Sequence, residues 1–139
     1  MNTKTSILRG ALCGLLAWIA VAAQAGEDSV AKLVGKLQSA DKAARLQAID
    51  ELGHHGEAAA EAVAPLKEML QDDSADVRAH AAHALGAIGP AAKPAVGALI
   101  ELLKDPDEKV RRQAVKAVLR INPGPRVAIP LCVKLLEDS

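Results

Sequence analysis

The chain repeats itself every 33 residues over most of its length. Small aliphatic residues return at the same places of each unit, three or four positions apart, which is the spacing of one helix face. The clearest sets are Val30, Val63, Val96 and Ile129; Leu33, Leu66 and Leu99; Leu37, Leu70, Leu103 and Leu136; Ala48, Ala81 and Ala114; and Leu52, Leu85 and Val118. Because one short unit cannot bury its own apolar face, this pattern predicts stacked units that share a continuous core.

Each unit contains two apolar helical stripes separated by a short polar turn. We predict an all-α fold, an α-solenoid of stacked antiparallel helix pairs with about seven helices. The units span approximately 27–59, 60–92 and 93–125, with a partial unit over 126–139. The first helices of the units (helices A) are expected over 29–39, 60–71, 93–104 and 127–137. The second helices (helices B) are expected over 41–54, 75–88 and 108–121.

Local residue types suggest where the second repeat begins and ends its helix B. Ser74 is expected to cap the N-terminus of that helix with its side chain. Gly86, Gly89 and Pro90 are expected to end it, because glycine and proline interrupt helices.

The composition favours thin helical layers and excludes nucleic acid as a partner. Half of the residues are hydrophobic, yet Trp18 is the only aromatic one. A core of Ala, Leu, Val and Ile suits closely packed helices. There are 17 basic and 17 acidic residues, so the chain has neither the basic field nor the stacking aromatics that nucleic-acid binding uses.

The N-terminal segment has the features of a signal peptide. Lys4 and Arg9 precede an apolar run over 11–23, and Ala23-Gln24-Ala25 is a small-residue cleavage site. The run of 13 residues is shorter than the roughly 20 that a membrane-spanning helix needs. We predict a signal peptide over 1–25, a repeat domain over 26–139, and an exported protein, periplasmic or secreted. A retained anchor is the alternative, and only then is a membrane involved.

The second helix B carries the segment 76–89, Asp-Val-Arg-Ala-His-Ala-Ala-His-Ala-Leu-Gly-Ala-Ile-Gly, with less similar copies at 105–115 and 43–48. This segment resembles HEAT repeats, specifically the short HEAT-like repeats of phycobilisome lyases. It implies a solenoid whose B helices line a concave surface. It also implies a structural role for the arginine after the Val position, which bonds acidic groups of neighbouring turns. These arginines are Arg45, Arg78 and Arg111, and the candidate acids are Asp41, Asp72 and Asp105.

Members of this family include adaptors, chromophore lyase subunits and di-iron hydroxylases, so the fold does not select a function. The hydroxylases bind iron through His-Glu dipeptides, and this sequence contains none. Phosphate-binding loops and nucleophile elbows are also absent from it. We therefore predict a protein–protein interaction or scaffold module with no cofactor. The alternative is a metal-dependent or chromophore-handling enzyme, a lyase or oxidoreductase, with Asp76, His80 and His83 as metal ligands.

Partner binding is predicted on the exposed face of the B helices. Four cations of the third helix B are spaced 3, 4 and 4 residues apart on one face: Lys109, Arg112, Lys116 and Arg120. Asp50, His83 and Lys116 occupy one repeat position and form a ladder from acidic to basic. Residues 26–75 carry ten acids and five bases, whereas 76–139 carry seven acids and ten bases. The expected partner is a protein.

The last helix has no following helix B to cover it. We expect some of its apolar residues to stay exposed, and such residues support self-association. The candidates are Val127, Leu131, Val133 and Leu135, of which some are expected to be exposed. A self-associating structural subunit, a homo-oligomer through this helix, is thus a further alternative. Cys132 shares the repeat position of Leu33 and is expected to be buried.

Overall fold

The protein is built from helices alone in the residues that its computed structural model describes. These are 30–122 and 124–137, with the side chains of 131, 132 and 134–137 excepted. In chain order the α-helices are α1 (30–36), α2 (Lys42–His55), α3 (Val63–Met69), α4 (Ala75–Ile88), α5 (Val96–Glu101), α6 (Glu108–Ile121) and α7 (Pro125–Glu137). No strand occurs in these ranges. The prediction of an all-α solenoid is confirmed.

The three B helices, α2, α4 and α6, begin where the sequence predicts, and two of them have side-chain caps. Asp41 accepts a hydrogen bond from Ala43 N (3.1 Å), and Asp107 accepts from Lys109 N (2.8 Å). Such caps satisfy amide groups that a first helical turn leaves free. Ser74 stands at the same position before α4, but its side chain makes no capping bond. The expectation of a serine cap is wrong; instead, Asp72 Oδ1 accepts from Ser74 N (2.9 Å) and shapes the turn.

Residues with positive φ end the B helices. Gly56 (φ 54°), Gly89 (φ 76°) and Asn122 (φ 51°) follow α2, α4 and α6. This backbone conformation is strained for residues with a Cβ, and glycine and asparagine adopt it most easily. Gly86 does not end a helix as expected: it lies inside α4, where its role is in packing.

The helices α3 and α5 are shorter than the predicted A helices 60–71 and 93–104, because 3₁₀ turns replace part of them. Such turns cover Gly56–Ala62 before α3, Gly89–Ala95 before α5 and Leu102–Lys104 after α5. Pro90 and Pro94 lie within the turn Gly89–Ala95, and neither has the amide hydrogen that a regular α-helix continued from α4 would require there. Each connection therefore bends through a tight turn before a regular helix begins.

The core is the shared apolar stripe that the repeat predicts. α4 packs between α2 and α6, α3 packs on α4, and α5 packs on α6. The repeated leucines Leu33, Leu66 and Leu99 are all buried, as are Leu52, Leu85 and Val118. Val30, Val63 and Val96 are at most 8% exposed. Equivalent residues therefore occupy equivalent interior places, which confirms stacking in register.

Neighbouring B helices approach each other closely at two glycines. A Cβ on Gly86 would lie 2.8 Å from Ala117 Cα, and one on Gly53 would lie 3.3 Å from Ala84 Cα. Gly53 and Gly86 occupy the same repeat position, so each allows the next helix B to pack against its own. The third residue at this position is Leu119, which is 54% exposed on the far side of α6.

The stretch 75–104, which comprises α4, α5 and the 3₁₀ turns next to them, is long and apolar enough to span a membrane by length and composition alone. Half of its apolar window is buried inside the protein, and Gly89 breaks it into α4 and α5, so it is the core of a repeat. The predicted signal peptide, the predicted start of the domain at 26 and the side chains of Leu131, Cys132 and Leu135 lie outside the described residues.

Candidate interaction surface

An arginine after the Val position of each helix B binds the turn that precedes that helix. Arg45 Nη1 donates to Ser39 O (2.8 Å), and Arg111 Nη1 donates to Asp105 O (2.7 Å). Arg78 Nη1 donates to Asp72 O at 2.8 Å. The carbonyl groups of the polar turn thus find a charged donor within their own repeat.

The same arginines also contact the acidic residue in the turn of the next repeat. Arg78 donates twice to Asp105, from Nε to Oδ2 (2.8 Å) and from Nη2 to Oδ1 (3.1 Å). Arg45 Nε lies 3.3 Å from Asp72 Oδ2, close enough for an ion pair but without the alignment of a hydrogen bond. Asp41 has no such role among the described residues, because its carboxylate caps α2.

Charge pairing shifts the pKa values of Arg78 and Asp105 in opposite directions. The hydrogen bond to Asp105 raises the pKa of Arg78. Burial works to raise the pKa of Asp105, but hydrogen bonds from Arg78 and from Asp107 N hold it below its ordinary value. Both groups thus remain charged and join two adjacent repeats.

Asp76 bridges three repeats on the exposed surface. Lys42 Nζ lies 2.9 Å from Asp76 Oδ2, and Lys109 Nζ lies 3.4 Å from Asp76 Oδ1. The hydrogen bonds from Lys42 and Lys109 lower the pKa of Asp76. Its carboxylate is therefore engaged by two lysines rather than directed at the histidines, with which the sequence had grouped it.

The two histidines of α4 lie in a recess between the B helices. His80 Nδ1 donates to Asp50 Oδ1 at 2.7 Å, since a carboxylate can only accept. Both residues, together with Ala79, His83, Lys109 and Gln113, line a recess of about 270 Å³. The structure thus brings Asp50 and His83 together with Lys109. No group of three metal-ligating side chains occurs within the described part of the chain.

The predicted cationic face of α6 is exposed. Lys109, Arg112, Lys116 and Arg120 all lie at the surface of this helix. Arg112 Nε lies 3.6 Å from Glu108 Oε1, an exposed pair within one helical turn. We call Arg112, Lys116 and Arg120 the α6 stripe; none of the three lines the recess.

Sequence reasoning missed the Asp50–His80 pair and the place of Gln113. The sequence analysis compared residues that are 33 positions apart. A side chain that extends toward the neighbouring helix B can instead contact a residue at another separation, and Asp50 and His80 are 30 positions apart. The sequence did contain a signal for the place of Gln113, because Gln47, His80 and Gln113 occupy one repeat position and therefore share one face of the B helices. The binding roles of Asp50, His83 and the α6 cations stay predictions.

Comparison with known proteins identifies the repeat. The family model described as HEAT repeats matches residues 30–96, and the model described as HEAT repeat matches residues 95–124. A search of curated proteins found no match. The crystal structure of an engineered protein is similar at 28% sequence identity and a TM-score of 0.59, over 76% of this chain and 50% of that one.

This chain thus spans half the length of the engineered protein. The finer resemblance to phycobilisome-lyase repeats stays a prediction. The family matches together cover residues 30–124, well over half of the 139-residue chain. With its register of 33 residues, its stacked helix pairs and these matches, the chain belongs to the HEAT repeat family.

Proposed function

We propose that this protein is an exported interaction module whose α6 stripe binds an acidic surface of a protein partner. HEAT repeats generally mediate protein–protein interaction or scaffolding. The proposal assigns the binding face within that general role: it is the B-helix side of the stack, at its C-terminal end.

The supporting observation is the exposure of several like charges on one helix face. Arg112, Lys116 and Arg120 project from successive turns of α6. No ion pair of Lys116 or Arg120 occurs among the side chains that the structure describes. Lys116 and Arg120 therefore remain available to an acidic surface, and such charges accelerate association and select partners.

The distribution of charge along the stack also supports binding at the C-terminal end. Acidic residues predominate in 26–75 and basic residues in 76–139. A partner with uniform negative charge would be repelled by the first repeat and attracted by the third. Binding is therefore expected to centre on α6 rather than to spread over all repeats.

Charge reversal of the stripe tests this proposal. The full chain, immobilised, captures partners from the native envelope or medium, and the triple variant Arg112→Glu, Lys116→Glu, Arg120→Glu is compared with it. The matched control is Lys67→Glu, Lys93→Glu, Lys104→Glu, which makes the same change of charge at three exposed lysines outside the B helices. Loss of a captured protein with the stripe variant alone is the expected result; retention with both variants would exclude the stripe.

Export is a separate part of the proposal and has its own test. The apolar run over 11–23 and the site Ala23-Gln24-Ala25 support cleavage after Ala25. The mature protein should begin at Gly26 and be recovered outside the cytoplasm. N-terminal sequencing of the fractionated protein decides this, and an intact Met1 in the membrane fraction would indicate a retained anchor.

A second candidate function, self-association through α7, has one specific observation in its favour. Ile129 is 62% exposed and Val133 is 49% exposed on this helix. Ile129 shares its repeat position with Val96, which is only 7% exposed. An apolar position that is covered in the earlier units is thus open in the last one, and a second copy could cover it.

A further inference from the structure

The C-terminal end of the stack exposes an apolar surface that is covered in the earlier repeats. Leu119 of α6 is 54% exposed, and Ile129 and Val133 of α7 are 62% and 49% exposed. Val115, one turn before Leu119, is half-buried, whereas its repeat equivalent Ala82 is fully buried. Each of the two helices thus presents two apolar residues four positions apart, on one face. We call Val115, Leu119, Ile129 and Val133 the end face.

The neighbour that would cover the end face in a longer stack is a helix B. In the third repeat, α6 packs on α5 of its own unit and on α4 of the preceding one, where Ala117 lies next to Gly86. Leu119 repeats the position of Gly86, and α7 is the counterpart of α5. A helix B after α7 would therefore cover α6 at Leu119 and α7 together. The described residues contain no such helix, so the end face has the form of a site for one helix.

The charges beside the end face are all positive. Lys116 and Arg120 flank Leu119 on α6, and Arg126 lies one turn before Ile129 on α7; all three cations are exposed. The sequence from 109 to 130 contains six basic residues and no acidic one. An apolar strip bordered by cations is complementary to an apolar strip bordered by carboxylates. The charge pattern thus selects a helix with an acidic flank.

A second copy of this chain fits the end face less well. In a symmetric dimer the same patch meets itself, so the α6 stripes of two copies would lie close together and repel each other. A head-to-tail contact would place α2 of the second copy on α6. Glu51 of α2 holds the repeat position of Ala84 and Ala117, the small residues that pack on the preceding helix B. A carboxylate would then be pressed against Leu119, which is unfavourable.

We propose that the end face binds an amphipathic helix of the protein partner, with acidic residues along the flank nearest the α6 stripe. The apolar side of this helix covers Leu119, Ile129 and Val133, and its carboxylates meet Lys116 and Arg120. A separate helix is not tied to a helix A of its own, so it can adopt the larger interhelical distance that Leu119 imposes. The acidity of the partner rests on the proposed function, whereas its helical and apolar form rests on the end face alone.

Three synthetic peptides of 14 residues, the length of α6, test the proposal without the natural partner. The first is alanine-rich, with leucines at i, i+3, i+4 and i+7 and glutamates along one flank. The second has lysines in place of the glutamates. The third has the composition of the first, with its leucines distributed around the helix. Each peptide is titrated into the isotope-labelled full chain, and the NMR signals of the Leu119 and Ile129 methyl groups are followed.

Saturable shifts of both methyl signals are expected with the first peptide, which should bind at least about tenfold more tightly than the other two. Equal binding of the third peptide would mean that charge alone is recognised and would overturn the proposal. Equal binding of the second peptide would exclude the acidic flank. The absence of saturable shifts with the first peptide would exclude the site altogether.

Replacement of the apolar residues supplies the second arm of the test. Leu119→Asn with Ile129→Asn should weaken binding of the first peptide about tenfold or more, because the apolar contacts are lost. Met69→Gln is the matched control, since it changes a half-buried apolar residue of the second repeat and should leave binding unchanged. Thermal unfolding verifies that the variants fold. Undiminished binding by the folded double variant would contradict the assignment, and a misfolded variant leaves the wild-type comparison of the three peptides to decide.

Failure of the end face and failure of the α6 stripe can be told apart. If the first and third peptides bind equally well, the end face is refuted and the stripe is not. If capture from the envelope or medium ignores stripe reversal, the stripe is refuted, and the peptides still judge the end face through Leu119 and Ile129. Sedimentation covers the remaining occupant, because a dimer that the first peptide does not dissociate would assign the end face to a second copy and overturn the proposal.

Discussion

Arg78 in the second repeat donates two hydrogen bonds to the carboxylate of Asp105 in the turn of the third repeat. The pair is largely buried, with 15% and 6% of the two side chains exposed. Arg78 also binds the carbonyls of Asp72 and Asp73 in its own turn. One guanidinium thus fixes two successive turns relative to each other.

Removal of this carboxylate should weaken the stack. Asp105→Ala leaves the Arg78 guanidinium without its acidic partner and Asp107 N without its acceptor. We expect a loss of about 3 kcal/mol in the free energy of unfolding, measured by urea denaturation. Asp76→Ala is the control, because this carboxylate is exposed and its lysine pairs are screened by water; it should change stability little. Equal effects of the two changes would refute a special role for the buried pair.

The same carboxylate should make stability depend on pH in the acid range. The pKa of Asp105 is lowered in the folded protein, whereas an unfolded aspartate has a pKa of about 3.9. As pH falls, the unfolded chain therefore takes up the proton first, and folding becomes less favourable. The contribution of Asp105 is fully present above its unfolded pKa and is lost as pH falls through the lower folded value.

We accordingly expect the free energy of unfolding of the wild type to fall with pH below about 4. The decline should be shallower in Asp105→Ala, which has no proton to take up at this site. Urea denaturation series between neutral and acid pH measure both slopes. Parallel declines in the two proteins would mean that other carboxylates account for the pH dependence.

Close packing of α4 on α6 can be tested at Gly86. Alanine there would place its Cβ 2.8 Å from the backbone of Ala117, which cannot move without shifting the whole helix. We expect a net destabilisation of about 1–3 kcal/mol, although alanine favours helix formation. Thermal and urea unfolding provide the measurement.

Two other glycines serve as graded controls for this change. Gly53→Ala would bring the Cβ to 3.3 Å from Ala84 Cα, so its cost should be smaller. Gly97→Ala meets nothing within 4 Å and should stabilise α5 by up to about 1 kcal/mol. An order other than Gly86, Gly53, Gly97 in increasing stability would contradict the packing argument.

Self-association through α7 predicts a concentration-dependent mass. If a second copy covers Ile129 and Val133, sedimentation should show dimers at high concentration, and Ile129→Glu with Val133→Glu should abolish them. Leu119→Glu distinguishes the exposed end of α6 from α7, since Leu119 lies on the former. A monomer at every concentration would exclude this candidate, and dimers that survive the double change would exclude α7 as the contact.

The sequence predicts the B helices better than the A helices for a physical reason. The helix B ranges 75–88 and 108–121 are recovered residue for residue, because a polar turn precedes each helix and a positive-φ residue follows it. Before α3 and α5, alanine-rich segments satisfy the helical pattern, yet the structure forms 3₁₀ turns there. An apolar period of three or four residues fits both geometries, so periodicity could not separate them.

The interaction surface was predictable only in part. A repeat in register tells which residues are equivalent, so the α6 cations and the Asp50–His83–Lys116 ladder could be placed on one surface. It does not tell how far a side chain reaches toward the next helix, and that reach decides the His80–Asp50 pair and the burial of the Oε1 atom of Gln113. Contacts between repeats depend on interhelical distance, which the glycines control.

The change from glycine at positions 53 and 86 to leucine at 119 limits how this stack can grow. A duplicated unit inserted between the second and third repeats would follow α4, which carries Gly86. Its helix B could therefore pack on α4 at the native interhelical distance. A unit grafted after α6 would meet a leucine side chain and be held away. Lengthening the protein by design therefore requires internal insertion, or Leu119→Gly as the first change.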